Sequence, residues 1–245
     1  MKKTFLKAEW RKLIMANYSI DSQVLARYLP AQTELDFWNG TCYVSLVGFM
    51  FLNTRLKGIR IPFHTNFEEV NLRFYVKHLA QGSCTRGVVF IKEIVPRPAI
   101  TFVANTLYGE HYATMPMRHH WKSSASVLEV EYGWKAKHWQ SLGVIARPVP
   151  QPIAAGSLEE FISEHYWGYT RLDDRRTSAY QVVHPKWEVY PVQEYTISVD
   201  FGAVYGPEFS FLNSQKPVSV FLAEGSEVSI KEGTNLQVKN RWFSG

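Results

Sequence analysis

The cleanest pattern in the chain is the alternation over residues 67–78 (FEEVNLRFYVKH). Val70, Leu72, Phe74 and Val76 fall on one face, and Glu69, Asn71, Arg73, Tyr75 and Lys77 on the other. A period of two is what a β-strand imposes on its side chains. Gln81-Gly82-Ser83 then predicts a turn, and residues 84–94 (CTRGVVFIKEI) predict the strand returning beside it. Upstream, residues 34–38 and 41–51 are strand-like on either side of Asn39-Gly40, a pair that readily supplies the two positive φ angles of a tight hairpin. Further strand-like runs are expected at about 111–121, 125–134 and 137–147, and strands and turns over 171–238, with breaks near 206, 213–217 and 224–226.

Helical signals are few. Residues 21–29 read as a short helix capped by Asp21 or Ser22 and followed by Pro30. Residues 98–108 (PAITFVANTLY) predict a buried helix, with Pro98 in the first turn, Gly109 past the end, and a stripe of Ile100, Val103, Ala104 and Leu107. Ser157 opens a third helix, SLEEFISEHYW. Ser157 and Glu160 fit a capping box, and Leu158, Phe161, Ile162 and His165 form the buried face. The Pro-rich run RPVPQP before it reads as an extended surface loop. Many strands with about three helices predict one mainly-β domain over residues 1–245.

Composition narrows the class. Of 245 residues 46 % are hydrophobic and 15 % aromatic, which excludes a disordered chain. The net charge of +5 is spread along the chain. Its densest stretch, Lys2 to Lys12, reads as a solvated edge, and no nucleic-acid-binding signature accompanies it. Charges in that stretch also interrupt any signal-peptide core, and no apolar run is long enough to span a membrane. Cys42 and Cys84 read as buried apolar residues without metal spacing, which suits a reducing, cytoplasmic compartment.

The polar face of 67–78 has two readings. It faces water, the default for an antiparallel sheet, or it lines an interior. In the second case Arg73 would fork a carboxylate, and Glu69 would be an acid or base with a pKa raised by burial. Elsewhere, chemistry is thin. His119 and His120 are adjacent and point to opposite faces of a strand, so no metal site is expected. His184, before Pro185 and near Trp187, is a weaker acid–base candidate. Asp173-Asp174-Arg175-Arg176 reads as a self-paired surface loop. No phosphate loop or nucleophile elbow occurs.

The strand Phe67-Glu68-Glu69-Val70-Asn71-Leu72-Arg73-Phe74-Tyr75-Val76 resembles the F-x-E-x-N-x-R-x-Y-V strand of the YqjF-like family of uncharacterised bacterial proteins. The likeness extends to Leu29-Pro30 with Glu34-Leu35-Asp36, to Gly87-Val88-Val89-Phe90, to Ala104–Met115, to Ser157–Phe161 with His165-Tyr166, and to His184-Pro185-Lys186-Trp187. It thus spans most of the chain. That family is similar to acetoacetate decarboxylase, which implies an antiparallel β meander or barrel enclosing a pocket and favours the interior reading of Glu69, Asn71 and Arg73. The decarboxylase forms an imine through a lysine in a Gly-Phe-Pro-Lys-Lys run. The matching run here is Gly109-Glu110-His111-Tyr112-Ala113, and neither Tyr112 nor Ala113 can form an imine. Lys77 and Lys122, the in-phase substitutes, read as solvated.

The expected function is binding of a small polar or carboxylated molecule, with or without turnover. Arg73 would anchor it, Asn71 and Tyr112 would orient it, and Glu69 would move a proton; no cofactor is expected. Two alternatives stand beside this. One is a non-catalytic, homodimeric interaction protein in which Glu69 and Arg73 form a structural ion pair. The other is a decarboxylase using a displaced lysine.

Overall fold

The computed structural model describes residues 2–80 and 82–237. Gln81 of the expected turn, the Leu107 side chain of the expected helical stripe, and residue 238 lie outside the described residues. In chain order the strands are β1 (Thr4–Ile20), β2 (Glu34–Leu35), β3 (Cys42–Leu56), β4 (Phe67–Ala80), β5 (Ser83–Val95), β6 (Tyr112–Thr114), β7 (Met117–Ser123) and β8 (Leu128–Lys135). There follow β9 (Trp139–Ala146), β10 (Gln151–Pro152), β11 (Trp167–Arg171), β12 (Arg176–Val183), β13 (Glu188–Tyr190), β14 (Val192–Ser198), β15 (Ser219–Lys231) and β16 (Thr234–Gln237). The helices are α1 (Ser22–Leu25), α2 (Pro98–Tyr108), α3 (Leu158–Ser163) and α4 (Phe201–Tyr205).

The large sheet runs β15-β1-β3-β4-β5-β11-β12, and β12 pairs back onto β15 through Val182↔Ile230 and Val183↔Ser229. The strand path therefore closes into a ring. A second, four-stranded antiparallel sheet, β14-β9-β8-β7, lies outside it. The mainly-β expectation holds, but the sheet is mixed, not wholly antiparallel. β5 pairs parallel with both β6 and β11, because α2 carries the chain from β5 to β6 as a crossover, which a parallel pair requires.

Two cores result. Outside the ring, Ile14, Val44, Leu46, Leu72 and Phe74 pack with Val130, Tyr132, Trp134 and Leu142 of the second sheet. Inside it, Leu13, Met15, Val47, Phe49, Tyr75, Phe161 and Trp187 form the other cluster. The apolar face of β4 is thus turned outward onto the second sheet, which leaves its polar face pointing into the ring. A burial energy of about 1.5–3 kcal/mol for each large aliphatic or aromatic side chain makes this orientation strongly preferred over the reverse.

Local signals hold where backbone geometry fixed them. Asn39 and Gly40 adopt φ of 48° and 76°, but the turn closes a single Trp38–Thr41 bridge and no two-stranded hairpin: the strand before it is Glu34–Leu35 alone, and it pairs with β4, not with β3. Asp21 caps α1, accepting from the Gln23 amide. Ser157 Oγ accepts from the Glu160 amide at 3.2 Å, while Glu160 reaches back to the Gly156 amide at 2.8 Å. Residues 173–176 form the self-paired loop, with Arg176 on Asp173 at 2.6 Å.

Several expectations are corrected. The run at 111–121 is two strands in different sheets, because Pro116 lacks the amide to continue the ladder. α3 ends at Ser163, short of the expected tyrosine and tryptophan. None of α2's described residues is fully buried, because the helix touches the inner core through Ile100 and otherwise covers a cavity. Cys84 is exposed at the hairpin end of β5. Residues 224–226 lie inside β15. α4 and the 3-10 turn Pro207–Asn213 interrupt a region read as strands, α4 being capped by the Asp200 side chain on the Ala203 amide at 3.0 Å.

Gly48 of β3 faces the second sheet, where a Cβ would stand 2.9 Å from the Tyr132 ring. Gly48→Val is expected to lower unfolding free energy by about 1–3 kcal/mol, as overpacking does. Denaturant titration checks it, and an unchanged midpoint would contradict this packing.

Candidate functional site

The inward row of β4 is Glu69, Asn71, Arg73 and Tyr75. Glu69 is 2 % exposed, Asn71 1 % and Arg73 8 %, so the interior reading holds and the solvent reading falls. Asn71 faces Glu93 across the β4–β5 ladder, and Glu93 faces Tyr112 across β5–β6. Tyr112 OH donates to one Glu69 oxygen at 3.0 Å, and Asn71 Nδ2 donates to the other at 2.9 Å. The β4–β5 register slips between Leu72 and Arg73. Ile91 joins the outer core, and Lys92 also turns outward to the Val204 carbonyl. This bulge returns Glu93 to the inside.

Three carboxyls therefore share a buried region: Glu69, Glu93 and Glu110. Burial raises Glu69 to about 7; the Asn71 and Tyr112 hydrogen bonds pull it down, and the Glu110 charge adds to the rise. Burial raises Glu110 to about 7 as well. Glu93 is pushed well above the carboxylate range by burial and by the charges of Glu110 and Glu69. Burial also raises the Tyr112 hydroxyl, so it acts as a neutral donor. One oxygen each of Glu93 and Glu110, Asn71 Oδ1 and Arg73 Nε lack partners.

Arg73 is the buried cation of this wall. Among the described residues its one side-chain hydrogen bond is Nη2 to the Met15 sulfur at 3.8 Å, and no carboxylate lies within 4 Å of it. The structural Glu69–Arg73 ion pair of the first alternative is therefore absent.

A second polar group was not singled out from the sequence. His165 is buried, and its Nε2 lies 3.2 Å from Asp36, which also takes Arg86 Nε at 2.6 Å. Burial pushes Asp36 up, but His165 and Arg86 outweigh it and hold the carboxyl at about 2. Burial holds His165 down at about 4. An ionised carboxylate can only accept, so Nε2 carries the proton and the unpartnered Nδ1 is a bare acceptor. His184 stacks on Trp187 with ring centroids 4.2 Å apart, and its pKa is lowered by burial.

These groups line one cavity of about 50 Å³: Glu69, Asn71, Arg73, Glu93, Tyr112, His165, Tyr180 and His184 all contribute. All five residues singled out in the sequence are brought together. Tyr180 reaches the cavity over Gly168, its ladder partner, where a Cβ would stand 2.3 Å from the ring. Among the described residues no lysine lines the cavity. Lys122 is exposed beside Glu129, and Lys77 lies beside Glu34. Among the described residues no three His, Cys, Asp or Glu side chains are placed to hold a metal ion.

A family described as an uncharacterized conserved protein, DUF2071, matches residues 7–227. The chain belongs to the DUF2071 family. It is 27 % identical over 184 residues to the uncharacterized protein YqjF of Bacillus subtilis (strain 168), covering 73 % of this chain and 72 % of that one. Among solved structures it is similar to acetoacetate decarboxylase from Legionella pneumophila, with a TM-score of 0.62 at 12 % identity over 95 % of this chain and 87 % of the other. It is also similar to the enduracididine biosynthesis enzyme MppR complexed with pyruvate, with a TM-score of 0.63 at 10 % identity over 96 % and 91 %. At these identities the likeness establishes the acetoacetate-decarboxylase-like fold. Among the described residues no helix is long and apolar enough to cross a membrane.

The raised carboxyls make stability pH-dependent. Their folded pKa values lie above the ordinary 4.5, so their contribution is full below about pH 4.5 and is lost as pH rises through about 7. His165, with a lowered pKa, works in the opposite sense as pH falls below 6.5. A difference measurement separates them. The melting temperature of Glu110→Gln relative to wild type is expected to climb between pH 4.5 and 7.5, and a flat difference would contradict the buried-carboxyl picture.

Proposed function

We propose that the protein binds a small carboxylic acid in the polar cavity, with Arg73 taking its carboxylate and Glu69 exchanging a proton with the bound molecule. The observation that carries this is the Arg73 guanidinium, buried on the cavity wall without a carboxylate partner. An isolated buried charge is very costly, and a planar fork matches a carboxylate in two parallel hydrogen bonds. At about 10–15 Å³ for each water-sized group, the 50 Å³ cavity takes about three to five such groups, the size of a two- or three-carbon acid. A protein of the same fold holds pyruvate.

Glu69, titrating near neutral pH, is matched to proton transfer at physiological pH. Tyr112 holds one of its oxygens and supplies a neutral donor, and Asn71 holds the other while leaving Oδ1 for a ligand hydroxyl. His165 offers Nδ1 as a second acceptor, fixed from behind by Asp36. His184 closes the wall against Trp187. With no lysine among the described wall residues, imine chemistry has no support.

Pyruvate, lactate and acetoacetate are to be screened by thermal shift and calorimetry. At least one is expected to raise the melting temperature of wild type and to bind at least tenfold more weakly to a folded Arg73→Met. Failure of every acid to bind wild type would remove the reading. For a bound keto acid, Glu69-dependent exchange of α-hydrogens with D2O, followed by NMR, is expected to accelerate as pH rises through about 7 and to vanish in Glu69→Gln.

A further inference from the structure

Helix α2 stands off the ring. Beneath it lies a second cavity of about 190 Å³, nearly four times the polar one. Ala99, Ile100, Val103 and Ala104 of α2 form one side, and Leu6, Phe51, Leu56 and Phe67 are among the residues facing them. Ala99 and Ile61, both lining residues, are exposed, so this chamber reaches the surface.

Two features mark it as more than loose packing. Phe51, Tyr112, Tyr180 and Ile230 line both cavities, so the chambers are neighbours across a wall one side chain thick. The Tyr112 hydroxyl on that wall holds Glu69 on the polar side. In addition, Glu110 borders the apolar chamber, is 7 % exposed, and leaves Oε1 without a partner. A buried acceptor without a partner is costly, and here it stands at the edge of a mostly apolar space that Thr54 and His64 also line.

We infer that the acid bound by this protein carries an apolar arm, an alkyl or aryl group that passes between Tyr112 and Tyr180 and fills the chamber under α2. This rests on the carboxylate reading for the head of the ligand and adds the class of the remainder. The polar cavity would fix the reacting end. The chamber would supply affinity by removing apolar surface from water, the usual division of labour in a ligand site. At about 10–15 Å³ for each group, the 190 Å³ chamber holds about thirteen to nineteen water-sized groups, so an arm of medium length fits.

The test is a homologous series, straight-chain acids from acetate to decanoate and the matching n-alcohols. Dissociation constants are measured by calorimetry on wild type, Ala104→Trp, Ala99→Trp and Arg73→Met, with circular dichroism to confirm folding. Ala99 is exposed, so its tryptophan variant keeps the test open if Ala104→Trp fails to fold. Acid affinity is expected to rise about three- to fourfold per methylene until the chamber is full. Both tryptophan variants should flatten the series and leave acetate unchanged. If wild type binds acetate but gains nothing with length, or folded tryptophan variants keep the gain, the inference is overturned and the carboxylate reading stands. If acids and alcohols bind alike, and Arg73→Met changes neither, the acid head is overturned and the apolar arm alone is supported.

Discussion

The burial of β4 on both sides governs the rest of the molecule. A strand with one apolar and one polar face ordinarily gives its apolar face to the core and its polar face to water. Here the four-stranded sheet claims the apolar face from outside the ring. The polar face has nowhere to go but inward, and the ring must then accommodate Glu69, Asn71 and Arg73 as interior residues. The polar cavity follows from how two sheets share one strand.

That arrangement sets the electrostatics. Two further glutamates, from β5 and from the segment after α2, enter the same region, and of the three carboxyls only Glu69 feels the Arg73 charge. Burial and mutual repulsion keep protons on carboxyls that would otherwise be ionised. The Asp36–Arg86 pair does the reverse, staying ionised and fixing the tautomer of His165. The wall thus presents weakly acidic carboxyls, a neutral phenol, a neutral imidazole and one permanent cation, a set suited to a small anion and its protons.

Much of this was legible in the chain. The period-two pattern of 67–78 named three wall residues, and the family resemblance turned them inward, since periodicity alone could not tell which face the second sheet would claim. Tyr112 was found through its place in the run after α2, and Glu110, two residues earlier, shares its strand parity. Glu93 was not legible: the bulge at Ile91 and Lys92 sends two successive residues outward, so counting alternate positions along β5 from its N-terminal end gives the wrong face. His165 looked like the last apolar contact of a helix, but α3 stops before it, and its partner Asp36 is 129 residues away. Cys84 was misplaced because an apolar neighbourhood in sequence became the open end of a hairpin.

The ring is not equally secured around its circumference. β1 and β15 are matched along most of their length, but the β11–β12 hairpin is held to β5 by two residue pairs and to β15 by two more. That hairpin carries Gly168 and Tyr180, which stands between the polar cavity and the apolar chamber. Few ladder bonds make for a low opening free energy. The hairpin is a leaf held between two short seams, and native-state amide exchange should find its least protected interior hydrogens there, beside the tyrosine that lines both chambers.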